Sequence, residues 1–150
     1  MKIMVAIDGS EYGERALDEA CANFVRPGET EMRLVSAFDD AFPVAAEPFA
    51  ISAEYYQEMT EASQKEAEGF LNDAAKCVKE RFPNGKLKLT TAVLRGAPAP
   101  MIIDEAEDWG ADLIVVGSHG RGFWGRMLGS VSDGVVHHAA CSVLVVRGEH

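Results

Sequence analysis

The feature that most constrains this chain is an alternation. Short runs of apolar and β-branched residues are each followed by a stretch in which apolar residues recur every three to four positions. This is the pattern of strands joined by crossover helices in a largely parallel sheet. The runs 2–7, 32–38, 86–94, 111–116 and 142–147 predict five strands. Those at 2–7 and 111–116 are apolar almost throughout, as expected of strands covered on both faces. The expectation is an α/β, three-layer open sheet of five mainly parallel strands with four helices.

Between the runs, helix signals sit in register with the breaks. Ser10 is placed to cap a helix whose stripe is Ala16, Leu17, Ala20, Cys21, Phe24 and Val25, ended by Pro27-Gly28. Residues 39–49 carry Pro43 and Pro48 and read as an irregular loop. A long helix over 52–82 places Ala67, Phe70, Leu71, Ala74, Ala75 and Val78 on one face, and Lys76, Lys79 and Arg81 complement the negative end of its dipole. Gly96-Ala97-Pro98 opens a shorter helix that Gly110 closes, and residues 130–139 give the last one.

At 150 residues the chain has the size of one domain, expected over 1–150, able to bury about 70% of its unfolded surface. Its formal charge, 14 Lys+Arg minus 24 Asp+Glu, is −10, which repels phosphate backbones and anionic lipid surfaces, so neither nucleic acid nor membrane is an expected partner. No segment offers the eighteen or more apolar residues of a membrane span. The opening apolar run stops at Asp8-Gly9, too short for the core of a signal peptide. Cys21, Cys77 and Cys141 lie far apart without a CxxC pair, which suits thiols in a reducing, cytoplasmic setting.

Sheets of this kind bind ligands beyond the carboxyl ends of their strands. Two loops there stand out: Asp8-Gly9-Ser10, and the glycine-rich stretch from Gly117 to Ser130. A glycine-rich loop emptying into a helix N-terminus directs unpaired amides at one point, which favours phosphate. Ser130 is expected to cap the last helix with Asp133 completing a Ser-x-x-Asp box, and Ser132 adds a hydroxyl. A well-capped helix behind a flexible loop is the simpler account of the same residues.

The segments VAIDGS, VVGSHGRG and GSVSDGVVHHAACSVLVV, in that order, resemble the universal stress protein family across essentially the whole chain. The resemblance implies a Rossmann-like nucleotide-binding half-domain and, in the ATP-binding members, a Gly-x2-Gly-x9-Gly-Ser/Thr pattern matched here by Gly117, Gly120, Gly129 and Ser130. It would put Ala6 and Ala37 near an adenine, Asp8 near ribose and phosphates, and Gly117, His119, Gly120, Gly129, Ser130 and Val131 around sugar and phosphate groups. The Asp8 carboxylate tolerates a triphosphate only with a screening cation, which makes Mg²⁺ the expected companion of ATP, with AMP or another adenine nucleotide as a variant. A homodimer pairing strand 142–147 is also implied. The pattern departs from the family in one place: eight residues, 121–128, separate Gly120 from Gly129 instead of nine. The missing residue removes up to about 3.5 Å of reach, and Gly122 and Gly125 are the positions that permit a tighter path.

Arg121 and Arg126 are the only cations inside that loop, and Phe123 and Trp124 are an aromatic pair suited to covering a ligand or a neighbouring surface. The adjacent His137 and His138 point about 100° apart on a helix and do not share a metal readily. Neither GxSxG nor the lysine-bearing Walker loop is present, so any ATP hydrolysis is expected to be slow. Glu54, Glu58, Glu61, Glu66 and Glu68 give the long helix an acidic face. The expectations are thus an ATP-binding regulatory protein whose occupancy changes its assembly or contacts, a nucleotide-free interaction module of the same fold, or a slow ATPase.

Overall fold

The structure is a computed structural model and describes residues 1–39, 52–120 and 126–148. Nine elements follow in chain order: β1 (Lys2–Ala6), α1 (Glu11–Asn23), β2 (Glu31–Phe38), α2 (Ala53–Arg81), β3 (Lys88–Arg95), α3 (Pro98–Trp109), β4 (Leu113–Gly117), α4 (Ser130–His138) and β5 (Ser142–Val146). The strands form one sheet in the order β3-β2-β1-β4-β5. Every pairing is parallel, where the sequence suggested a mainly parallel sheet.

Side-chain alternation sorts the apolar residues into two cores. Ile3, Val5, Leu34 and Val115 face α1 and α2 with Leu17, Leu71 and Val78, whereas Met4, Val35, Ile114 and Val116 face α3 and α4 with Ile102 and Val135. β1 and β4 are buried on both faces, which is why their sequences are unbroken runs. No helix among the described residues is long and apolar enough to cross a membrane.

The expected element ends shift by a few residues. α1 stops at Asn23, because Arg26 precedes Pro27 and helical backbone is disfavoured there; Val25 instead donates its amide to Ala20 O at 3.2 Å. Ser10 caps α1 as expected, its Oγ accepting from Gly13 N at 3.1 Å, and Gly110 ends α3 at φ 75°. The irregular loop expected over 39–49 lies, beyond Asp39, outside the described residues.

The order of strands fixes where a ligand can enter. The connection after β1 turns into α1 on one face, and that after β4 turns into α4 on the other. A crevice opens between the carboxyl ends of these neighbouring strands, at the switch point of the topology.

Candidate functional site

The crevice holds a cleft of about 430 Å³, within the range of small-molecule sites. One end is apolar: Ala6 and Val35 from neighbouring strands, Ala37, Val116, and Pro98 and Ile102 from α3. The other end is built from Asp8, Gly13, the ends of the glycine loop and the first turn of α4.

The first turn of α4 is the chemically distinctive part. Its N-cap is Gly129, with φ −68°, ψ 162° and no capping side chain. The first helical hydrogen bond runs from Asp133 N to Gly129 O at 2.9 Å, so the amides of Ser130, Val131 and Ser132 have no acceptor within the helix. Ser130 therefore does not cap α4, and the expected Ser-x-x-Asp box does not form. The helix begins one residue earlier than a Ser130 cap requires: Ser130 is already its first residue, beyond the capping position.

Beneath these amides the loop is braced at its base. Ser118 O accepts both Gly129 N (2.8 Å) and Ser132 Oγ (2.9 Å), and Ser118 N donates to Val146 O (2.8 Å), which ties the loop to β5. His119 is 7% exposed; its Nε2 bonds to Met127 O and its Nδ1 lies 2.9 Å from Ser118 Oγ. A carbonyl only accepts, so Nε2 carries a proton. The ring also lies against Tyr12, with centroids 5.2 Å apart. His119 lines the cleft but its nitrogens hold the loop closed, a bracing role that its position in the sequence did not disclose.

The described loop glycines, Gly117, Gly120 and Gly129, serve close approach rather than unusual dihedrals: among the described residues the positive-φ glycines are Gly9, Gly28, Gly85, Gly96 and Gly110. A methyl group at Gly117 would lie 2.7 Å from the Tyr12 carbonyl carbon, so this glycine is needed for packing β4 against α1. At Gly129 it would meet His119 Cα and Ser118 O at 3.3 Å, and at Gly120 it would come 3.2 Å from Asp8 Oδ2. Gly13, which sequence reasoning passed over, is constrained more tightly, with Asp8 Oδ1 2.8 Å from the methyl position.

Asp8 Oδ1 accepts from Ser10 N at 3.0 Å and from Ser10 Oγ, which fixes the carboxylate at the cleft wall. It is the only charged side chain among the described lining residues. Arg126 is exposed and outside the lining, and its carbonyl accepts from Arg147 Nη1 at 3.1 Å. Arg121, Phe123 and Trp124 lie outside the described residues. Of the expected site residues, Ala6, Asp8, Ala37, Gly117, His119, Gly120, Gly129, Ser130, Val131 and Ser132 all line this one cleft. Val35, Pro98, Ile102, Val116 and Leu128 join them; their apolar character marks them in sequence only as core.

Away from the cleft, His137 and His138 each bond through Nδ1 to the carbonyl four residues back, Asp133 O at 2.9 Å and Gly134 O at 3.0 Å. No group of three or more His, Cys, Asp or Glu among the described residues is placed to hold a metal ion. Burial pushes the Cys21 and Cys141 thiols above their ordinary range, the former partly offset by the Arg81 guanidinium.

The sequence profile described as the universal stress protein family matches residues 1–147. The chain belongs to that family. It is 33% identical to a universal stress protein of Synechocystis sp., across 97% of this chain and 97% of the other. Its fold is similar to that of universal stress protein UspA from Lactobacillus plantarum, with TM-score 0.75, 25% identity and coverage of 98% and 97% of the two chains. A crystal structure described as a universal stress protein in complex with cAMP gives TM-score 0.58 and 25% identity, over 97% and 96%. As a member of this family, the chain carries its Rossmann-like α/β domain.

Proposed function

We propose that this universal stress protein binds an adenine nucleotide in the cleft between β1 and β4, and that occupancy changes its assembly or its contacts with partners. One observation carries the reading: apolar residues of β1, β2, β4 and α3 line a single cleft together with the first turn of α4, whose three leading amides have no helical acceptors. A relative of the same fold in complex with cAMP supports the adenine class. ATP is the nucleotide the glycine pattern favours. Asp8 fits the donor set for Mg²⁺, which is commonly held by one or two carboxylates together with phosphate oxygens. Bound there, the ion would supply charge neutralisation between phosphates and the carboxylate.

The test is direct. Denaturing freshly purified protein and chromatographing the supernatant at 260 nm should release adenine nucleotide near one equivalent; its absence, together with no thermal shift on adding MgATP, overturns the reading. Gly120→Val places a side chain beside Asp8 in the cleft and should abolish a nucleotide-induced thermal shift while the circular dichroism spectrum stays unchanged. The second reading, a nucleotide-free interaction module, is favoured by the electrostatics: the one charged lining group described is a carboxylate.

Assembly is proposed through β5, the sheet-edge strand on the β4 side, whose residues Val143–Val146 are only partly buried. Light scattering at micromolar concentration should give twice 16.2 kDa, and a 16.2 kDa species counts against the dimer.

A further inference from the structure

The glycine-rich loop enters α4 by a limb, residues 126–129, whose backbone is held at several points. Arg126 O accepts from Arg147 Nη1 at 3.1 Å, Met127 O accepts from His119 Nε2, and Gly129 N donates to Ser118 O at 2.8 Å. Ser118 N donates in turn to Val146 O at 2.8 Å, so the end of β5 lies alongside this limb. Two arginines distant in sequence, Arg126 and Arg147, are thereby brought to one rim of the cleft. We propose that Arg147, with Arg126 on the same rim, receives the distal phosphates of the bound nucleotide and so makes the site prefer ATP to AMP. The proposal rests on the reading of the cleft as an adenine-nucleotide site.

The distribution of charge singles out this pair. The chain has 24 Asp+Glu against 14 Lys+Arg, and Arg15, Arg33 and Arg81 pair with Glu11, Glu105 and Asp18. Arg126 and Arg147 are both exposed, and neither forms an ion pair among the described residues. A guanidinium carries five N–H donors in a planar fork, and the bond to Arg126 O engages Nη1 alone. The donors that remain match two oxygens of one phosphate.

The limb places these cations relative to the cleft. Leu128 and Gly129 are lining residues, and Arg126 stands two residues before Leu128, at most about 7 Å along extended backbone. Any nucleotide can set its first phosphate on the leading amides of α4, but only a longer phosphate chain extends outward to the rim. Asp8, the one charged side chain among the described lining residues, repels each added phosphate. The rim arginines oppose that repulsion with charge supplied by the protein itself.

The test compares ATP with AMP by calorimetric titration of the full-length protein at one fixed Mg²⁺ concentration. Arg147→Gln keeps an N–H donor for Arg126 O and removes the charge. It should weaken ATP about fivefold, a factor worth about 1 kcal/mol, and AMP by less than about twofold, with unchanged circular dichroism. Arg147→Lys, which keeps the charge, should retain most of the ATP affinity. Raising NaCl should lower the ATP-to-AMP affinity ratio of the unaltered protein more steeply than that of Arg147→Gln, because exposed charges are screened. A residue that only braced the loop would act on ATP and AMP alike, since both use the same amides. An ATP-to-AMP ratio left unchanged by Arg147→Gln, whether both affinities fall together or neither does, would overturn this proposal alone. Failure of the unaltered protein to bind either nucleotide would overturn it together with the adenine-nucleotide reading.

Discussion

The β1–α1 turn and the β4–α4 loop stand side by side at the carboxyl edge of the sheet and start their helices in opposite ways. In the first, every device points inward: Asp8 accepts from Ser10, and the Ser10 hydroxyl caps the helix at Gly13. In the second, the polar groups brace the loop through Ser118, His119 and Ser132, but the helix they lead into has a glycine at its cap and no side chain on its first amides. A capped helix start has its donors spoken for, whereas an uncapped one keeps them for a ligand. The comparison separates two glycine-bearing turns of similar composition, one holding a carboxylate in place and the other leaving its first-turn amides without a side-chain cap.

Substitutions can break or sharpen this contrast, and they rank by expected size. Gly117→Val acts on neither turn's polar groups but on their shared support, since its side chain would enter the α1 backbone at Tyr12. Urea denaturation should show a loss of about 3 kcal/mol or failure to fold. Ser132→Ala removes a buried hydroxyl that donates to Ser118 O and lies 3.0 Å from Gly129 O. It should cost about 1–2 kcal/mol and loosen the base of the loop, seen as faster amide exchange at Gly129.

Ser10→Ala deletes a working cap and should cost about 1 kcal/mol. The matching change Ser130→Ala should stay within about 0.5 kcal/mol, because Ser130 caps nothing. Equal losses for these two serines would erase the distinction between the turns.

The smallest effect is one of pH. Burial raises the Cys21 thiol on α1, so the folded state favours its neutral form. That contribution is fully present below the ordinary thiol value of about 8.5 and is lost as pH rises through the higher folded value. The urea midpoint should therefore fall between pH 8 and pH 10, and Cys21→Ala should flatten part of that fall. Cys141, raised in the same direction, accounts for a further part.

Much of this was legible in the sequence because local rules and tertiary demands agree. Unbroken apolar runs announced the doubly covered β1 and β4, and the stripe on α2 named Ala67, Leu71, Ala74 and Val78, all of which are buried. The site residues carried by loops at strand ends were legible too, since glycines and small polar residues are conspicuous there. The apolar half of the cleft was not. Val35, Ile102 and Val116 have the same sequence signature whether they pack against a helix or border a cavity.

What the chain's sequence determined by itself is the set of elements and the family, because hydrophobic period and turn chemistry act over a few residues at a time. Tertiary structure alone decided which helix starts uncapped, that His119 braces a loop, and that Val35 rather than Ser36 borders the cleft. These depend on where a cap falls by a single residue and on which way a strand's pleat faces. Such choices are settled by packing between segments distant in the chain, where a one-residue shift exchanges an inward group for an outward one.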